Sequence, residues 1–117
     1  LGDVYKRQVL KEVNLGHEQH PETAVVLERL ALTDLLERHP ASLSGGEQQR
    51  VMIAASLLSG KEILIFDEPS SGLDLRQMQA LSSLLKDVKS QDKVVILISH
   101  DEELLTDVCD SIYHMSP

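Results

Sequence analysis

The sequence is poor in cysteine, in positive charge and in long apolar runs. Cys109 is the single cysteine among 117 residues, so no internal disulfide can form, and a reducing compartment fits. The formal net charge of −8 argues against non-specific nucleic-acid binding, which needs clustered lysine and arginine. No apolar run approaches the roughly 20 residues of a membrane span, so any membrane role has to come through a partner.

An initiating methionine is also absent, and both ends of the chain look cut. Residues 3–8 resemble the translated end of a transposon adapter, and residues 1–8 are therefore expected to be a non-native scar. The alternative is a genuine polar N-terminal segment. The other end stops at residues 115–117, just after an apolar run. We expect the chain to be a piece of a longer open reading frame, with enough residues for one small core.

The first half of the chain has a helical apolar pattern. Residues 9–20 are weakly patterned, whereas residues 22–37 have the spacing of one helix or two short helices. Ser44 opens a Ser-x-x-Glu capping pattern, and Gly60 is a natural stop for the helix that follows.

The second half alternates strands with helices. A continuous apolar run at residues 63–66 predicts a strand buried on both faces, and residues 94–98 predict a second strand. An amphipathic helix over residues 74–89 separates them. A helix over residues 101–108 and a third strand over residues 111–115 complete a βαβαβ unit with a parallel sheet.

Ionisable side chains gather where the two predicted strands end. Asp67 and Glu68 follow the first strand, and His100 follows the second. Because ligands of an open parallel sheet bind outside the carboxyl ends of its strands, these side chains are expected to share one rim. Pro69 favours an extended Glu68, so that the two carboxylates can splay around a mouth. The alternative is a pair of solvated acids at a strand end.

This rim predicts metal-assisted phosphate chemistry. Asp67 is expected to bind Mg²⁺ through water, since Mg²⁺ keeps much of its hydration. Glu68 is expected to act as the general base or to orient the attacking water. His100 is expected to contact a γ-phosphate.

A phosphate-binding corner is predicted in the first half of the chain. Residues 43–50 read Leu-Ser-Gly-Gly-Glu-Gln-Gln-Arg. The Ser44 hydroxyl and the N–H groups of Gly45 and Gly46 would stand at a helix N-terminus, which is a ready anion site. The alternative is an ordinary glycine-containing helix cap. Asp74, after the turn at residues 70–73, likewise has the position of an N-cap.

Taken in order, these segments resemble the ATP-binding-cassette (ABC) ATPases. Residues 43–50 are similar to the signature motif, residues 63–69 to the Walker B strand, residues 70–74 to the D-loop and His100 to the switch histidine. The resemblance implies an α/β, P-loop NTPase-like fold, present in part as a parallel βαβ core plus a helical signature region. It divides the chain into a helical subdomain at residues 9–60 and the C-terminal part of the catalytic core at residues 61–117.

The resemblance also implies ligands and partners. ATP and Mg²⁺ are the implied cofactors, and a second ABC ATPase subunit is the implied partner in a head-to-tail dimer. The signature would contact ATP held by the partner, while the strand-end residues would serve the nucleotide of their own subunit. The implied site residues are Ser44, Gly45, Gly46, Glu47 and Asp74 for the nucleotide, Asp67 for the metal, and Glu68 and His100 for catalysis. Glu47 stands where the signature most often has glutamine.

The sequence departs from the family in what it lacks. There is no Walker A loop, no aromatic loop that stacks on adenine and no Q-loop. Gly60 and Lys61 do not supply the Walker A loop, because Ala55 stands in place of its first glycine and Glu62 follows the lysine. The chain by itself is therefore expected not to hydrolyse ATP at a useful rate.

The expected role of the longer protein is to power import as the ATPase subunit of an ABC transporter. Residues 38–40, 70–74 and 108–110 look like those of the energy-coupling-factor group of importers. That group implies transmembrane partner subunits, a peripheral position on the cytoplasmic face of the cell membrane and no nucleic-acid partner. The alternatives are a soluble ABC ATPase that acts on ribosomes or DNA, and a degenerate non-catalytic module.

Overall fold

The computed structural model describes residues 23–116, so the predicted scar and the weakly patterned segment after it lie outside the described residues. Helix α1 spans Thr23–Arg29. Two 3₁₀ turns follow, Thr33–Leu35 and Pro40–Ser42. Ala31 has a left-handed backbone (φ 57°), which ends α1 and separates it from the first turn. The predicted helical region is thus formed by two short pieces.

Helix α2 spans Gly45–Leu57 and begins as the capping pattern predicts. The Ser44 hydroxyl accepts a hydrogen bond from the Glu47 N–H (3.2 Å), and the Glu47 carboxylate accepts one from the Ser44 N–H (2.8 Å). Arg50, which is buried, donates from Nε to the Leu30 carbonyl (2.8 Å). This bond satisfies a carbonyl at the end of α1 and ties α2 to it.

The rest of the described chain is strand, helix, strand, helix. Strand β1 spans Ile63–Asp67, helix α3 Leu75–Lys89, strand β2 Val94–Ile98 and helix α4 Glu102–Val108. The strands are parallel, and their register sets the last residue of β1 beside the last residue of β2. Both carboxyl ends therefore meet at one edge of the sheet. Within residues 23–116 no helix combines the length and apolar character that crossing a bilayer requires.

The helices cover one face of this two-stranded sheet. Leu64 and Phe66 are buried in the core that the helices share, whereas Ile63 and Ile65 are 59% and 61% exposed. The prediction that this strand is buried on both faces is therefore wrong for the described residues, since the described helices pack only against the Leu64 side. Strand β2 follows the same alternation, with exposed side chains at Val94, Ile96 and Ile98.

The predicted third strand is also absent from the described part of the chain. Residues 111–116 have no strand structure, and the sheet of the described residues consists of β1 and β2. A cleft of about 790 Å³ is lined by β2 and by residues 109–115. The apolar pattern of this segment is that of a strand, but a strand forms only where a neighbouring backbone supplies hydrogen-bond partners.

Candidate functional site

The structure brings the strand-end side chains together. Glu68 Oε1 lies 3.5 Å from His100 Nε2, across the gap between the two strand ends. Asp67 is the last residue of β1, so it lies at the same edge of the sheet, and its side chain is exposed. The His100 side chain is fully exposed and that of Glu68 is 39% exposed, so both groups can reach a ligand from solvent. Their catalytic roles stay predictions.

The backbone of Glu68 differs from the prediction. Its φ is 50°, a left-handed conformation, and the expectation that Pro69 holds this residue extended is wrong. The Glu68 N–H donates to the Ile98 carbonyl (2.7 Å), and the Glu68 carbonyl accepts from Ser71 N–H and Gln49 Nε2, each at 3.2 Å. Left-handed backbone costs a non-glycine residue about 1–2 kcal/mol. These bonds offset that cost and aim the side chain toward His100.

The N-terminus of α2 has the features of an anion site. Ser44 and Gly45 are exposed, and the N–H groups of the first helical turn have no acceptor within the helix. The positive end of the helix dipole adds a favourable potential for an anion. The Ser44 oxygen accepts from the Glu47 N–H, and its single O–H donor serves either the Glu47 carboxylate or an incoming ligand. The donor set fits a phosphate group.

A close backbone contact joins this corner to the loop after β1. A Cβ atom added to Gly46 would lie 2.9 Å from the Gly72 carbonyl oxygen, a distance that real Cβ atoms essentially never show. Gly72 has φ +77°, which favours glycine. These two glycines therefore allow the start of α2 and the loop after β1 to pack closely. The next residues hold the start of α3, where Asp74 Oδ1 accepts from Gln77 N–H (2.8 Å).

The described residues offer Mg²⁺ no cage of protein ligands. Within residues 23–116 no group of three or more His, Cys, Asp or Glu side chains could hold a metal ion. Asp67 alone still fits Mg²⁺, because this ion commonly takes one or two carboxylates and fills its other positions with water and substrate phosphates. A structural metal centre is not what these residues provide.

Glu47 is engaged in the helix cap and in a weak ion pair. Its carboxylate accepts from the Ser44 N–H and lies 3.7 Å from Arg38 Nη1. The Ser44 backbone N–H, helped by the Ser44 hydroxyl and by Arg38, holds the pKa of Glu47 below its ordinary value of 4.5, against a smaller effect of partial burial. A contact between Glu47 and a nucleotide remains a prediction.

The lowered pKa of Glu47 predicts a pH-dependent contribution to stability. A carboxyl whose pKa is lower in the folded state stabilises the fold above pH 4.5, and this contribution is lost as the pH falls through the folded value. Urea unfolding of the wild type and of Glu47→Gln is expected to give a difference at neutral pH that shrinks below pH 4.5. A difference that stays constant down to pH 3 would contradict this assignment.

Sequence reasoning missed two side chains that shape the site. Gln49 bonds the Glu68 carbonyl, and Arg50 bonds the Leu30 carbonyl, although both stand inside the octapeptide that the sequence singles out. Their only sequence signal is a polar side chain on the core-facing side of a capped helix, where a buried polar group needs a partner. The identity of that partner depends on tertiary packing.

The folded arrangement matches proteins of known structure. Against a solved complex of the archaeal ribosome recycling factor with a ribosomal stalk protein, the TM-score is 0.79 at 32% identity, covering 91% of this chain and 22% of the other. The sequence is 44% identical over 115 residues to an ABC transporter ATP-binding protein of Treponema denticola. It is 45% identical over 87 residues to a pyoverdine export ATP-binding/permease protein of Pseudomonas fluorescens.

The family follows from these likenesses and from a family model. The model described as ABC transporter matches residues 3–71, which is more than half of the chain. The chain therefore belongs to the ABC transporter family, and its fold is part of an ABC nucleotide-binding domain. The Treponema alignment includes 97% of this chain but only 24% of the relative. The Pseudomonas alignment includes 74% of this chain and 13% of the relative. The chain thus spans a quarter or less of these relatives.

Proposed function

We propose that this chain is the signature and Walker B portion of an ABC ATPase that binds and hydrolyses Mg²⁺–ATP in a longer protein. The observation that carries the proposal is the 3.5 Å approach of Glu68 and His100 at one sheet edge, beside the exposed Asp67. Two side chains suited to phosphate chemistry meet there from the two strand ends, and Asp67 is the last residue of the first strand. Membership of the ABC transporter family supports the same reading.

Each residue has a role that its surroundings support. Glu68, held by its backbone bonds, accepts a proton from the attacking water, and His100 beside it donates to the terminal phosphate. Asp67 holds Mg²⁺, which when bound neutralises negative charge on the phosphates. The exposed corner at Ser44 and Gly45 donates hydrogen bonds to the phosphates of a nucleotide held by a second ABC ATPase subunit.

Coupling to membrane transport is the favoured use of this hydrolysis. By their names, the Treponema relative is an ABC transporter ATP-binding protein and the Pseudomonas relative is an export protein. We therefore propose transmembrane partner subunits and a peripheral position on the cytoplasmic face of the membrane. Import is expected only from the likeness of residues 38–40, 70–74 and 108–110 to energy-coupling-factor proteins, and the Pseudomonas relative is named for export.

A second candidate is a soluble ABC ATPase that acts on ribosomes. The archaeal ribosome recycling factor supports it through a TM-score of 0.79 at 32% identity. The net charge of −8 gives this chain no excess of basic side chains for ribosomal RNA, so such contacts would have to come from the rest of the protein. Co-sedimentation of the complete protein with ribosomes, rather than recovery with membranes, would favour this candidate.

Nucleotide turnover tests the proposed activity directly. The complete protein that carries this sequence is expected to hydrolyse ATP only with Mg²⁺, and chelation of the metal should stop phosphate release. The 117-residue chain, kept dispersed in mild detergent and assayed alongside, is expected to release none, since it has no Walker A loop. A complete protein that neither binds nor hydrolyses ATP would establish the non-catalytic module instead.

A further inference from the structure

Three elements hold the backbone of Glu68. Strand β2 accepts its N–H through the Ile98 carbonyl, and the turn that follows binds its carbonyl through the Ser71 N–H. The third bond comes from α2, where the half-buried Gln49 donates from Nε2 to the same carbonyl (3.2 Å). Gln49 is the side chain that connects the signature helix to the proposed catalytic residue.

The bond from Gln49 stabilises a backbone conformation of Glu68 that the local sequence disfavours. Glu68 is left-handed, although the residue before a proline is normally extended. Without the donor from Gln49, its carbonyl keeps the single bond from Ser71. The peptide is then freer to relax toward the extended form, and rotation of this backbone would carry the carboxylate away from His100.

We propose that Gln49 is a positioning residue that fixes the Glu68 backbone and couples the signature end of α2 to the Glu68 carboxylate. This inference rests on the proposed function. The phosphate-binding corner and Gln49 both belong to the start of α2. Gly46, in that corner, packs on Gly72, which lies in the same loop after β1 as Glu68. A nucleotide held by the partner subunit and bound at that corner would thereby set the geometry of the carboxylate that serves the other nucleotide.

Turnover by Gln49→Met tests the positioning role, since methionine keeps the length of the side chain and removes the donor. Displacing a catalytic group by about an ångström can cost about 10²-fold in rate, so kcat is expected to fall about 10- to 100-fold while KM for ATP changes less than about twofold. The matched control is Gln91→Met. Gln91 is exposed and precedes the first residue of β2, at the end of the strand opposite the proposed site. This control is expected to retain wild-type kcat.

A double variant separates positioning from a general loss of structure. If Gln49 acts through the Glu68 carboxylate, adding Gln49→Met to Glu68→Gln should lower the residual turnover no further. A further 10-fold loss in the double variant would show that Gln49 acts independently and would overturn the inference.

Amide hydrogen exchange provides a readout that needs no catalysis. In the nucleotide-free complete protein, the Glu68 and Ser71 amides are expected to exchange at least several-fold faster in Gln49→Met and at the wild-type rate in Gln91→Met. Equal exchange in the two variants would overturn the positioning role. Faster exchange in Gln49→Met, together with no ATP turnover in the wild-type complete protein, would leave the positioning role standing and would reject the proposed function.

Discussion

Glu68→Gln in the complete protein is expected to lower ATP turnover by about 10²- to 10⁴-fold, the range that a general acid–base group contributes. Glutamine matches the shape of glutamate but cannot accept the proton of the attacking water. The backbone bonds of residue 68 do not involve its side chain, so the loop should keep its conformation. Phosphate release at saturating Mg²⁺–ATP measures the loss.

The same variant should still bind ATP and associate with its partner subunit. Nucleotide contacts at the signature corner do not involve residue 68, so ATP-dependent dimerisation, followed by light scattering, is expected to persist. Glu62→Gln is the matched control, because Glu62 is an exposed acid just before β1, at the opposite end of the strand. Wild-type turnover in Glu68→Gln would remove Glu68 from its role.

Gly46→Ala is expected to destabilise the folded domain by about 1–3 kcal/mol, the usual range for overpacking. The new methyl group would lie 2.9 Å from the Gly72 carbonyl oxygen, which is backbone and cannot swing aside as a side chain could. Either the loop after β1 or the start of α2 has to shift. Both carry proposed site residues, so turnover should fall together with stability, as measured by urea unfolding and phosphate release.

Gly45→Ala is the control for this effect. A Cβ at Gly45 meets nothing within 4 Å, and Gly45 is not among the glycines with positive φ, so alanine fits there without strain. Its stability is expected to equal or exceed that of the wild type, and any loss of turnover there would report on contact with the nucleotide. Equal stability of the two variants would show that the loop accommodates the methyl group without cost.

Local signals predicted the elements that position the site. The Ser44 capping pattern located the start of α2, and the apolar runs before Asp67 and Ser99 located both strands. Asp74 as an N-cap is confirmed by its bond to Gln77. These features depend on neighbours within about four residues along the chain, and short-range sequence specifies them well.

Features that depend on residues distant in the sequence could not be predicted from local patterns. The left-handed Glu68 results from bonds to Ile98 and Gln49, which are 30 and 19 residues away in sequence, and these override the preference imposed by Pro69. Residues 111–115 carry a strand pattern without a strand. A pattern of side chains predicts which conformation a segment favours, but the partner that fixes it lies elsewhere in the fold.

The face of the sheet that the described helices leave uncovered affects the solubility of this polypeptide. This face is an apolar surface exposed to solvent, formed by Ile63, Ile65, Val94, Ile96 and Ile98. A contiguous apolar surface of this kind promotes self-association in concentrated solution. Expression of the free chain is therefore expected to yield soluble aggregates or inclusion bodies, and mild detergent or co-expression with the remaining sequence of the parent should keep it dispersed.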